Sequence, residues 1–141
     1  MGYRVFAQQG EPGVDLAGVI GNTRRYFECE VEVLSRAGPS VRLRLERDGE
    51  VAEFSVTARG AHPEDLSRAR EAERLGRAAG MATLAARCAA VWEVAPDPGV
   101  SERVTLTLCA VLASVALGPV LPPDCTTLFG VRGALSRARD A

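Results

Sequence analysis

Between Phe27 and Val56 the chain alternates apolar and polar residues, and the pair Asp48-Gly49 stands inside that pattern. Asp-Gly favours a two-residue type I′ turn, in which both central residues take positive φ and the flanking strands keep their natural twist. If Arg47 pairs with Glu50, Leu45 faces Ala52, Leu43 faces Phe54 and Val41 faces Val56. Every pair on that face is then apolar, while Arg44 meets Glu53 and Arg42 meets Ser55 on the other. A slip of one residue would turn Phe54 and Val56 into water. Turn chemistry and apolar pattern therefore select the same hairpin.

The run Phe27-Glu-Cys-Glu-Val-Glu-Val33 alternates as strictly, with Phe27, Cys29, Val31 and Val33 on one face and Glu28, Glu30 and Glu32 on the other. Residues 36–40 supply a turn. Pairing Val33 with Val41 sets Glu32 against Arg42 and Glu30 against Arg44. Three strands thus form a β-meander over 26–58, greasy on one side and charged on the other. A further strand is expected at Tyr3–Gln8, followed by a break at Gly10, Pro12 and Gly13 and a short helix from Pro12 to Ile20.

Helical periodicity dominates afterwards. Pro63 with Glu64 and Asp65 opens a helix, because proline suits the first helical position and acids suit the positive end of the dipole. Leu66, Ala69, Ala72, Leu75 and Ala79 mark its apolar face. Met81, Leu84, Ala85 and Cys88 continue as a second segment, or as one helix kinked near Gly76–Gly80. Val91–Val94 is a short strand-like run. Ser101 caps a helix to about Leu117, stopped by Gly118-Pro119; a strand over 104–111 is the competing assignment, since Thr and Val disfavour helix. Pro119–Asp124 reads as an extended linker, and a last helix ends near Arg139. The expected fold is one α+β domain over residues 1–141: an antiparallel sheet of the meander plus the N-terminal strand, with helices packed on one face in two layers. The order β-α-β-β-β-α-(β)-α-α is similar to the helix-plus-sheet layout of type III secretion chaperone-like domains, a likeness of element order that no residue motif shares.

Composition narrows function more than it defines it. With 141 residues a chain buries roughly 70% of its unfolded surface, enough for a core without metals or disulfides. The 17 basic and 18 acidic side chains leave a net charge of −1, and no basic stripe marks a nucleic-acid surface. All basic residues are Arg, so lysine chemistry of the Schiff-base or P-loop kind is excluded. The longest apolar run, Val104–Leu117, is too short to span a bilayer. No export signal is evident, so reduced thiols and a cytoplasmic location are expected.

Motifs are sparse. No two of Cys29, Cys88, Cys109 and Cys125 have zinc or redox spacing. His62, the only histidine, reads as a helix-start residue, though a pair with Cys125 is the one conceivable nucleophilic set. Glu28, Glu30 and Glu32 would attract a cation if Arg42 and Arg44 did not face them. Gly10-Glu-Pro-Gly13 lacks the full phosphate-loop pattern. No residue is assigned to catalysis, a cofactor or a metal.

Two functions remain. The helix over Val104–Leu117 is apolar nearly all round and needs cover on the side away from the sheet. Other segments of the chain, or a second chain docking on Leu106, Val111 and Val115, could supply it. The second option makes this a non-enzymatic protein-interaction domain (adaptor, chaperone or immunity-type protein), with another protein or a second copy as partner and no nucleic acid or membrane. The alternative is a small enzyme or ligand-binding domain with a pocket between sheet and helices, near Tyr3, Trp92 and Cys125.

Overall fold

A computed structural model describes residues 2–8 and 13–141. Among these the chain forms five helices and a six-stranded antiparallel sheet, in the order β2 (Glu30–Ala37), β3 (Ser40–Arg47), β4 (Glu50–Gly60), β5 (Ala90–Pro96), β1 (Tyr3–Ala7), β6 (Val120–Leu121). The α+β antiparallel architecture is the expected one.

The central hairpin joins β3 (Ser40–Arg47) to β4 (Glu50–Gly60). Its register is Arg47↔Glu50, Leu45↔Ala52, Leu43↔Phe54 and Val41↔Val56, as the turn chemistry requires. Asp48 and Gly49 both have positive φ, 53° and 79°, the signature of the type I′ turn. Leu43, Leu45, Phe54 and Val56 are fully buried.

Strand β2 (Glu30–Ala37) starts later and runs further than the alternation suggested. Gly38-Pro39 turns the chain in two residues, with Ala37 opposite Ser40, so the turn is tighter than residues 36–40 implied. The tighter turn moves the register: Val33 faces Leu43, Glu32 faces Arg44 and Glu30 faces Glu46, in place of the expected Val41, Arg42 and Arg44. A β-bulge between Val33 and Ser35 absorbs the odd residue, and the shift of two keeps Val31 and Val33 on the inner face.

Helix α1 (Leu16–Tyr26) also lies later than expected. Asp15 caps it by accepting from the Gly18 amide at 3.0 Å, and Gly21-Asn22 do not end it. Pro12, the expected first residue, falls outside the described residues. Strand β1 (Tyr3–Ala7) pairs with β5 (Ala90–Pro96) on one side and β6 (Val120–Leu121) on the other. The segment 119–124 is thus not simply a linker. Its prolines flank a two-residue edge strand, to which Phe129 adds a bridge.

Alternation in β1 and β5 sends side chains to both faces, and both are covered. Tyr3, Val5, Ala7, Trp92 and Val94 join one core with β2–β4, α1, α4 (Glu102–Ala116) and α5 (Val131–Asp140). Phe6, Val91 and Leu121 point the other way, onto Ala69 and Ala72 of α2 (Pro63–Gly76) and Ala82 and Ala85 of α3 (Met81–Ala86). The one-face, two-layer expectation therefore holds over β2–β4 and gains a third layer over β5-β1-β6. Helix α2 buries Asp65, Ala69 and Ala72, whereas Leu75, expected inside, is exposed. Residues 104–111 are helical.

Glycines set two close approaches. A Cβ on Gly118 would lie 2.0 Å from the Phe6 carbonyl oxygen, and β1 is held there by Phe6 N–H donating to Pro119 O at 3.0 Å. Gly21, in α1, has open space around it. Gly118→Ala is expected to cost about 1–3 kcal/mol through overpacking. Gly21→Ala is expected to gain up to about 1 kcal/mol through lower backbone entropy in the unfolded chain. Thermal or urea melts of the two variants moving in the same direction would contradict this packing.

Candidate functional site

One end of the molecule gathers the start of β1, the end of β5, the first turns of α4, the loop after β6 and the end of α5. Between them lies a cleft of about 680 Å³, lined by Tyr3, Glu102, Asp124, Phe129 and Arg137 among others. Clefts of roughly 300–1,000 Å³ are the usual size for small-molecule sites. Val100, Leu106, Pro96 and Pro122 give it apolar walls.

Tyr3 forms the floor. Its residue is 7% exposed, and its hydroxyl donates to Glu102 Oε1 at 2.9 Å. Ser101 caps α4 by accepting from the Val104 amide, which places Glu102 in the first turn beside the tyrosine. Burial first, then the Glu102 hydrogen bond, pushes the Tyr3 phenol above its ordinary range, with Asp124 adding negative potential. Tyr3 therefore keeps its one hydroxyl proton, which it donates to Glu102, and its oxygen is left to accept from a bound group, a role unlike that of a base that abstracts a proton. Asp124 Oδ1 accepts from the amide and hydroxyl of Thr126, at 3.1 and 2.9 Å, which stiffens the loop. Arg137 lies over the Phe129 ring, 4.6 Å from its centroid.

Of the pocket candidates read from the sequence, Tyr3 alone lines this cleft. Trp92 is 2% exposed, inside the core shared by sheet and α4. Cys125 lies in the same loop as Asp124, but its side chain packs against the second core, with Arg68 Nη1 3.9 Å from its sulfur. Among the described residues no hydrogen bond joins His62 to a cysteine; the His62 amide donates to Asp65 Oδ2 at 2.8 Å at the start of α2. Leu106, Val111 and Val115 do not form a free surface. They are 2%, 0% and 8% exposed, buried in the core that α4 shares with the sheet, α1 and α5. The expected docking face is corrected accordingly: the chain covers it with its own helices. Glu102, Phe129 and Arg137 escaped sequence reading because the cleft joins positions 2 to 141, with no local pattern to unite them.

The other charged constellation is structural. Asp65 is buried, yet accepts a two-pronged fork from Arg59, at 2.7 and 2.8 Å, as well as the His62 amide. Arg4 Nη1 stands 3.6 Å from Asp65 Oδ1, and Arg59 Nε donates to Glu93 at 2.6 Å. Burial alone would raise the Asp65 pKa; the Arg59 bonds, the His62 amide and Arg4 together outweigh it and hold the carboxyl below the ordinary range. On the sheet face beyond α2, Arg42 forks onto Asp97 at 2.8 and 2.7 Å. Glu32 pairs with Arg44. Among the described residues no group of three or more His, Cys, Asp or Glu is placed to hold a metal ion, and no helix is long and apolar enough to cross a membrane.

Comparisons of the chain with protein-family models, curated proteins and solved structures find no match.

Removing the Asp65 carboxylate leaves two guanidinium groups in a partly buried site. Asp65→Ala is expected to cost roughly 3 kcal/mol at neutral pH, the scale of a broken buried ion pair. Because the folded-state pKa is lowered, this stabilisation is present above the unfolded carboxyl pKa and is lost as pH falls through the folded value. Urea melts between pH 7 and pH 3 should therefore show a smaller acid-side loss in the variant than in the parent. Parallel pH profiles would mean that the fork contributes nothing.

Proposed function

We propose that this chain is a small-ligand-binding domain whose site is the cleft floored by Tyr3. One observation carries this: a cleft of about 680 Å³, with both apolar and polar side chains in its walls, holds a buried tyrosine hydroxyl fixed on Glu102. Apolar side chains that take a ligand's body, with fixed polar groups that orient it, are the usual make-up of a ligand site. The cleft lining contains no His or Cys, and its tyrosine is held protonated, which favours binding over catalysis. The protein-interaction reading, the first one expected from the sequence, drew its docking surface from an uncovered face of α4, and that face is packed against α1 and α5. Four free thiols, three of them buried, support the expected cytoplasmic location.

Amide-resolved NMR with a library of small organic fragments tests the proposal. Hits are expected to shift the amides of Tyr3, Val100, Leu106 and Phe129 together. Hits that perturb only the charged face of β3 and β4, or no hits at all, would overturn it.

A further inference from the structure

We propose that the cleft is gated from the opposite face of the sheet: α2, α3 and residues 122–130 open and close as one unit, and the cleft keeps its wall only while that unit is docked. This names a regulation of the Tyr3 cleft and rests, for its consequence, on the cleft being a ligand site.

Residues 122–129 serve both faces of the sheet. Asp124, Thr126, Thr127 and Phe129 line the cleft, whereas Leu128 is buried in the second core and Cys125 packs against it. Phe129 belongs to the first core, so the consecutive residues 128 and 129 anchor in opposite layers. Three contacts clamp this segment to the layer of α2 and α3. Arg68 Nη1 of α2 lies 3.9 Å from Cys125 Sγ. The end of α2 abuts Thr127 so closely that a Cβ on Gly76 would fall 2.2 Å from its Oγ1 and 2.8 Å from its Cα. At the start of α3, Met81 Cε would stand 3.9 Å from a Cβ on Gly130. Towards the sheet, the segment's backbone is held where Phe129 exchanges hydrogen bonds with Val120.

The layer has the features of a separate opening unit. Glu73 Oε2 accepts from the Ala82 amide at 2.7 Å, which ties α3 to α2. The core beneath them shares no buried residue with the first core. Its helical side is mostly alanine, and each buried alanine contributes less than the Leu, Phe and Val of the first core. Contiguous regions with less buried apolar surface open at a lower free energy than the whole molecule. The fork of Arg59 on Asp65 latches that region to β4. Undocking the layer takes the packing from Cys125, Thr127 and Leu128, and so removes the backing of Asp124 and Phe129 in the cleft. The two faces then share one two-state element, which is the physical requirement for coupling between them.

Amide hydrogen exchange of the full chain, read by NMR in low denaturant, tests this. The Val120 and Phe129 amides are expected to exchange within about threefold of the Ala69 and Ala72 amides of α2, and more slowly protected amides are expected in β3 and β4. Asp65→Asn keeps an acceptor for the His62 amide and breaks the charged fork. It should speed Val120, Phe129 and α2 together by at least about tenfold. Ala72→Gly, a milder change within α2, should speed the same set about fivefold. Val41→Ala, in the first core, should speed the β3 and β4 amides and leave α2, Val120 and Phe129 unchanged. If Val120 and Phe129 keep their rates while α2 speeds up, the segment opens alone and the gate is overturned. If every amide responds to every variant alike, the molecule is one cooperative unit and the gate is overturned too. These measurements use no ligand, so a failed fragment screen removes the ligand reading and leaves the coupling, whereas uncoupled exchange removes the gate and leaves the cleft.

Discussion

Helix α4 cannot leave a face in water. From Val104 to Ala113 every residue is buried, and its Thr105 and Thr107 hydroxyls are satisfied by the Ser101 and Arg103 carbonyls of the helix itself. A helix with no polar stripe needs cover all round. The sheet supplies one side through Leu43, Leu45, Phe54 and Val56. Helices α1 and α5 supply the rest, with Gly18 letting α1 approach Val115 so closely that a Cβ there would lie 2.9 Å from a valine methyl. The chain order follows from this need. Strand β1 pairs with β5 and β6 at one end of the sheet, and α1 must then travel back to β2 at the other, so its path lies across the layer that α4 occupies.

The second layer depends on a different kind of interaction. Alanines at 69, 72, 82 and 85 give α2 and α3 a thin face, so they lie close to Phe6, Val91 and Leu121 while adding little apolar area each. A thin face fixes orientation weakly. The Arg59 fork on Asp65 compensates by tying the first turn of α2 to β4, and Glu93 continues the tie to β5. Geometry is specified there by charge, where on the other face it is specified by volume.

Legibility in the sequence followed the range of the interactions. The β3–β4 hairpin was readable pair by pair, because a type I′ turn and a period of two are both local. The β2 register was not: Gly38-Pro39 closes the turn in two residues only because a bulge takes up Leu34, and no local pattern announces a bulge. Strand β6 was hidden by its prolines; two residues show no period, and its pairing depends on β1 more than a hundred residues away. Leu106, Val111 and Val115 sit on a helix that needs cover all round, but which segment covers them depends on α5, whose glycines at 130 and 133 obscure its limits in the sequence. At the cleft, Tyr3 could be singled out as a lone aromatic, whereas Glu102 and Arg137 looked like ordinary solvated charges until the fold brought them together.

The placement of the cleft follows from how the sheet ends are managed. An open strand edge invites pairing with another chain unless something blunts it. At β2 the bulge bends the edge, and Glu30, Glu32 and Arg36 place charges along it. At β6 the strand is only two residues long, and Phe129 closes it by exchanging hydrogen bonds with Val120 at 2.7 and 3.2 Å. Closing that edge pulls the loop 122–129 up beside the start of β1. The same step sets Phe129 and Asp124 against Tyr3, and α5, which follows directly, brings Arg137 over the ring. The cleft is therefore a consequence of sealing the sheet: the residue that ends strand pairing is also the aromatic wall. A substitution at Phe129 would for that reason disturb the edge and the cleft together, whereas Asp124, whose side chain bonds only within its own loop, separates the chemistry of the cleft from the stability of the fold.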